Sequence, residues 1–404
     1  MRVLIIGIFL AVTVFGFFLK YLTYTRMGAA VPDNVKDVFD DEAYRKNQAY
    51  GRARLGFSIV DGLIGMVFML VILLFNVHAG LYDWIGGFTG NVYLMGLFML
   101  GVPVLVGGII DELVGIYSVF VIEERFGFNK MTAGTYVMEF IKNLLIAVVF
   151  MGGLLVLFLF LHGLIGNWVF PAFFFVLLAF RLFIMFISPF MIRIFYKLSP
   201  LEEGSLKERI QAMAEETGFK LKGIYKVDAS KKSTKINAFA SGFGKTKTIG
   251  LFDTMLEKMS EDEILSILAH EIGHAKERHI VKTTPLSLLT FGIMLAAAYF
   301  IVTMPEVSQA FGFADTNIIF GIYIVSIMLS PLMLVLQIPS NAISRKHEYE
   351  ADTYSKRYLG AEVAVSALKT GSRENLANLT PHPFVVMMEY GHPPLSERIG
   401  ALEK

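Results

Sequence analysis

The chain has 404 residues, 55% hydrophobic and 18% charged, well below the roughly 25% charged residues of an average soluble domain, which argues against a soluble multidomain enzyme. Its 36 Lys and Arg against 35 Asp and Glu leave a formal net charge of +1, so the basic footprint of a nucleic-acid partner is missing. The lack of cysteine removes disulfides, thiolate nucleophiles and Cys-based zinc sites, so any metal must be held by His, Asp or Glu.

A bilayer crossing takes about 20 mostly apolar residues, and seven stretches qualify: 3–19, 57–77, 92–117, 144–161, 168–195, 286–302 and 318–338. The first follows Arg2 as a cleaved signal peptide would, but no convincing small-residue cleavage site comes directly after it. A polar segment covers 20–54, and two larger polar pieces cover 198–282 and 340–404. The organisation read from this is membrane helices in 1–197, a first soluble piece in 198–282, two more membrane helices in 283–339 and a second soluble piece in 340–404. Loops 78–91, 162–167 and 304–317 contain no Lys or Arg, whereas the alternate loops and the tail are rich in both. Basic residues are retained on the cytoplasmic side, so both soluble pieces are expected to meet in the cytoplasm. Asp61, Asp111, Glu112 and Arg181 fall inside the apolar stretches, where a charge facing lipid is costly. They read either as a structural pair, such as Arg181 with Asp111, or as the lining of a substrate cavity.

The strongest chemical signal is His270-Glu271-Ile272-Gly273-His274. Ser260 followed by Glu263 is a capping box, and Ile264, Ile267, Leu268 and Ile272 then recur at helical spacing, so the motif lies on a helix. Residues four apart share a face, so His270 and His274 can bind one metal ion, with Glu271 one position round as general base toward water at that metal. Catalytic zinc takes three protein ligands, and a third must come from elsewhere. Among the other histidines, His78 and His162 lie at the expected external boundary, while His279, His347, His382 and His392 remain. A glutamate would complete a His2Glu set, and Glu348 with Asp352 share one face of a helix stopped by Gly360. Glu348 would reach the metal and Asp352 would orient a ligand imidazole, with Glu350 pointing elsewhere; a solvated charged helix is the plain alternative.

Five blocks in order then carry a resemblance: Glu123-Glu124-Arg125-Phe126-Gly127-Phe128-Asn129-Lys130, Asn237-Ala238-Phe239, the His270–His274 motif, Ser344 through Asp352, and His392-Pro393-Pro394-Leu395-Ser396-Glu397-Arg398-Ile399. The chain resembles the type I CAAX prenyl endopeptidases over nearly its whole length. The resemblance implies zinc ligands at His270, His274 and Glu348, one zinc per chain, Glu271 as base and Asp352 as a further catalytic group. It also implies an intramembrane chamber walled by seven helices. His392 would donate to the oxyanion, and Arg398 would fix a carboxylate such as Asp352 near the substrate. Residues 235–251, β-prone around Gly242 and Gly244, read as a hairpin. In such proteases an exposed edge strand can align an extended substrate, a role that falls on Asn237, Ala238 and Phe239 up to Ala240, with a plain structural hairpin as the alternative.

The expected fold is therefore mainly α, a seven-helix polytopic membrane protein with a cytoplasmic zincin-like domain carrying a small hairpin or sheet. The expected function is zinc-dependent cleavage near the C-terminus of prenylated CAAX proteins or peptides, with membrane lipid as the other partner. A quality-control protease for damaged membrane proteins and a non-catalytic membrane scaffold are the competing readings. The expected setting is the endoplasmic reticulum in a eukaryote or the cell membrane of a bacterium, the bacterial case being favoured.

Overall fold

The structure is a computed structural model describing residues 1–241 and 247–404. Five helical runs are long and apolar enough to cross a membrane: Arg2–Thr25, Asp41–Leu74, Val92–Glu123, Ala133–Ser188 and His279–Thr303. The pair Ile318–Met328 and Ser330–Leu359, bent by 49°, makes a sixth if its arms count as one span. The seven apolar stretches thus map onto fewer runs, because 144–161 and 168–195 share the single run of 56 residues. That run is interrupted at Gly166, whose φ of +56° ends the helix Gly153–Ile165 before Val169–Phe195 begins. Such a left-handed backbone is cheap only for glycine.

Helices also continue past the apolar stretches into polar sequence. Asp41–Leu74 starts inside the segment expected to be merely polar, and Asp40 caps it by accepting from the Ala43 N–H at 2.7 Å. Helix Arg2–Thr25 packs on Asp41–Leu74, which packs on Val92–Tyr117. Contacts run on through Gly153–Ile165, Val169–Phe195, His279–Thr303 and Ile318–Met328, which returns to the first helix. The ring closes. At the end away from the soluble pieces it shares one apolar core, including Ile5, Leu73, Met99, Phe158, Val302 and Phe320. Asp111 and Arg181 are both exposed, and among the described residues no ion pair joins them, so the pairing considered from sequence does not form.

The soluble pieces build a second core around a four-stranded sheet. β1 (Leu198–Pro200) pairs antiparallel with β2 (Leu221–Val227), β2 runs parallel to β4 (Lys247–Phe252), and β3 (Ala238–Ser241) pairs antiparallel with β4. The order β1-β2-β4-β3 leaves β3 at an edge. The hairpin expected over 235–251 corresponds to the β3–β4 pair, while Gly242 and Gly244 lie outside the described residues. Central β4 buries Ile249 and Leu251 against Met213, Met255, Ile264 and Leu268, each worth about 1.5–3 kcal/mol as apolar burial.

Candidate metal centre

Two crossing helices bring the site together. Helix Glu261–Lys276 begins at the capping box, in which Ser260 Oγ accepts from the Glu263 N–H at 3.3 Å and the Ser260 N–H donates to Glu263 Oε2 at 2.9 Å. The other Glu263 oxygen accepts from the Ser366 and Thr370 hydroxyls, each at 2.7 Å. Burial would raise the Glu263 carboxyl, but these donors hold it below its ordinary value. The cap thus ties the metal helix to Ala361–Glu374.

The partner helix, Ser330–Leu359, is continuous from its apolar start through the polar Ser340–Leu359 half and stops at Gly360, φ +89°. The two helices cross at Gly273, where an added Cβ would lie 2.9 Å from Tyr354 Cβ and 3.2 Å from Ala351 Cα. Ser266, two turns before Gly273, clasps Ser355 of the partner helix, with hydroxyls 2.8 Å apart. Gly273→Val should therefore destabilise the protein by about 1–3 kcal/mol through overpacking and lower its metal content by pushing the helices apart. Thermal unfolding with elemental analysis checks this, and an unchanged metal content would contradict it.

At this crossing His270 Nε2 lies 3.0 Å from His274 Nε2 and 3.4 Å from Glu348 Oε2, and His274 Nε2 lies 3.4 Å from Glu348 Oε1. Donor atoms with bonds of about 2.0–2.1 Å in a tetrahedral site are about 3.3 Å apart, so the three fit one ion. The buried Glu348 Oε2 has no hydrogen-bond partner, which is what a carboxylate oxygen awaiting a cation looks like. Burial alone would lower the His270 pKa, but Asp352 and Glu348 outweigh it and lift it to about 9. The two carboxylates thus favour positive charge at this position, which a bound cation would supply.

His270 Nδ1 meets Asp352 Oδ1 at 2.9 Å, and Arg398 grips the same carboxylate with two N–H groups at 2.8 and 2.6 Å. His392 Nε2 lies 3.4 Å from Glu348 Oε1 on a side chain that is 71% exposed. A cavity of about 340 Å³ opens beside these groups and is lined by Glu271, His270, Glu348, Asp352, His392 and Arg398, with Asn237 and Ala238 on another wall. Phe239 does not line it. Its ring lies over Gly250 of β4, where a Cβ would overlap it.

Residues 20–197 match the family description "CAAX prenyl protease N-terminal, five membrane helices", and residues 200–404 match "Peptidase family M48". CAAX prenyl protease 1 of Saccharomyces cerevisiae is 31% identical, the alignment covering 100% of this chain and 95% of that protein. The chain belongs to peptidase family M48. A human CAAX prenyl protease 1 homolog is 29% identical, over 92% of this chain and 88% of its own length. The crystal structure of S. mikatae Ste24p matches with a TM-score of 0.94 at 30% identity, covering 100% of this chain and 99% of that one. As an M48 member the chain is a multi-pass membrane metalloendopeptidase.

Three features of this M48 site were not read from sequence. The Glu123 block had no assigned task; in the structure Glu123 accepts from Tyr50 Oη at 2.7 Å, Arg54 at 2.8 Å and Lys235 Nζ at 2.8 Å. It thereby anchors the segment entering β3 to the membrane helices. Asn375 clasps the same segment, accepting from the Ile236 N–H and donating to the Ile236 carbonyl, both at 3.1 Å. His279 packs against His274 and stacks on His347, whereas His382 caps a helix by accepting from the Phe384 N–H at 3.1 Å.

Proposed function

We propose that this chain is a zinc endopeptidase that cuts prenylated CAAX proteins or peptides near their C-terminus. The observation that carries the reading is the His270, His274 and Glu348 donor set at a cavity bordered by the free edge of β3. The names of its relatives, at 28–31% identity along 90–100% of this chain, support the substrate class.

In this reading two imidazoles and a carboxylate hold one zinc ion, a set of the His2Glu type. The ion, when bound, supplies Lewis acidity to water and to the scissile carbonyl. Glu271 takes the proton of the attacking water on its carboxylate and passes it to the nitrogen of the leaving amine. His392, exposed at the cavity, donates an N–H to the developing oxyanion. Asp352 keeps His270 in the tautomer whose Nε2 is free for the metal, and Arg398 holds Asp352 in place. The substrate backbone adds to β3 as an extended strand along Asn237 and Ala238, and Phe239 stiffens that edge through its contact with Gly250. Purified protein should cleave a prenylated CAAX peptide, lose this activity to a chelator and regain it with zinc. Equal cleavage of the unprenylated peptide would favour the quality-control reading instead.

We also propose seven crossings around a chamber. A 56-residue helical run would be ~84 Å long, far beyond a hydrocarbon core of about 30 Å, so it supplies two spans on either side of Gly166. The bent pair supplies the last. The closed ring of contacts supports a chamber inside it, and the three loops without Lys or Arg support catalytic pieces on the cytoplasmic side. Because the chain has no cysteine, single cysteines report cleanly on orientation. Exposed Thr316 changed to Cys should react with an impermeant thiol reagent from outside intact cells, whereas exposed Glu362 changed to Cys should not. The opposite labelling pattern would invert the molecule.

A further inference from the structure

We infer that His279 is a positioning residue for the metal centre, joining the ligand His274 to the carboxylate of Glu350 as Asp352 directly supports His270. The inference rests on the metal site proposed above. Helix Glu261–Lys276 and the next helix, His279–Thr303, are joined by a corner at Arg278, a non-glycine residue with φ +54°. That left-handed conformation costs about 1–2 kcal/mol, and it folds the chain back so that His279 faces His274 from five positions on. The His279 ring is buried, and His274 Nδ1 lies 2.8 Å from His279 Nδ1.

The hydrogen-bond roles follow from the donor set. His274 presents Nε2 to the metal position, so its proton sits on Nδ1 and donates to an unprotonated His279 Nδ1. His279 then carries its proton on Nε2, which donates to Glu350 Oε2 at 2.9 Å. Lys282 Nζ donates to that same oxygen at 3.0 Å and fixes the carboxylate. His347 stacks on the His279 ring at 4.0 Å with planes 12° apart, which holds the ring plane. Every proton in this chain has one donor and one acceptor.

His279, His347 and Glu350 also lie close enough to one another for a second metal ion. The contacts argue against it. Both nitrogens of His279 are committed to His274 and Glu350, and the Lys282 ammonium already occupies Glu350.

A ligand imidazole that loses its outer partner typically loses 10–100-fold in metal affinity. The full chain in detergent, stripped of metal, would be titrated with zinc against a chromophoric chelator. His279→Leu is expected to weaken zinc binding by about 10–100-fold, while His279→Asn, whose Oδ1 can accept from His274 Nδ1, should recover most of that loss. A merely structural role would not separate these two variants if the metal-free proteins melt alike. Glu350→Gln alters a partly exposed side chain and carries the test if the leucine variant does not fold; severalfold weakening is expected. Unchanged affinity in His279→Leu or, where that variant is not folded, in Glu350→Gln would overturn the inference. So would two zinc ions per wild-type chain with one lost in Glu350→Gln. Failure of the wild-type chain to bind zinc at all would instead remove the metal-site reading beneath it.

Discussion

Glu271→Ala should reduce peptide cleavage by at least the ~10²–10⁴-fold that a general base contributes, while leaving one metal ion per chain in place. The reasoning separates chemistry from architecture. Glu271 lines the cavity beside His270 and Glu348, is only partly buried, and among the described residues makes no hydrogen bond or ion pair. Its removal takes away no donor from the metal and no partner from the fold, so stability should change by no more than about 0.5 kcal/mol. Asp352→Ala would make a poorer test, because it strands the buried guanidinium of Arg398, and breaking such a pair costs about 3–5 kcal/mol. Turnover, elemental analysis and thermal melting on the same Glu271→Ala sample provide the check. Near-normal turnover would end the role proposed for Glu271.

The metal helix was legible because its signals are local. Ser260, Glu263 and the His270–His274 spacing are all read within one helix, and the structure realises each of them there. Glu348 and Asp352 were legible as a shared helical face, though spacing could not say that this face meets the histidines. That depends on Gly273 against Ala351, a long-range approach that a glycine in a helical pattern hints at without naming its partner. Charge patterns misled where geometry decides. Arg181 and Asp111 invite pairing by sign, but opposite signs fix neither distance nor direction, and the two do not meet. Phe239 sits within a motif yet covers Gly250, because the β3–β4 register pairs the two and a glycine leaves room for the ring. The Glu123 block carried the resemblance but no mechanism, since its task is to hold Lys235 from more than a hundred positions away. His279 was hidden for a different reason: the corner at Arg278 turns a residue of the next helix back onto the site, and no periodicity predicts such a corner.

Glu348→Ala should lower metal occupancy itself, in contrast to Glu271→Ala. Three protein donors hold a catalytic zinc, and the variant leaves only His270 and His274, whose Nε2 atoms lie 3.0 Å apart and each lose the carboxylate oxygen at 3.4 Å. The buried Glu348 carboxylate also balances the charge of the Arg398 guanidinium, whose Nη2 lies 3.7 Å away. Its loss therefore removes both a ligand atom and the negative charge that favours a cation. Elemental analysis after dialysis against a weak chelator should find a metal content well below one per chain, with activity falling in proportion. Excess zinc should restore part of both, since two of the three donors remain. An unchanged metal content would move the third ligand elsewhere, with Glu350, two positions along the same helix, as the first candidate, since Asp352 is already held by His270 Nδ1 and Arg398. Recruiting Glu350 would mean breaking its contacts with His279 at 2.9 Å and Lys282 at 3.0 Å, so the double variant Glu348→Ala with Glu350→Gln would then lose the metal that the single variant kept.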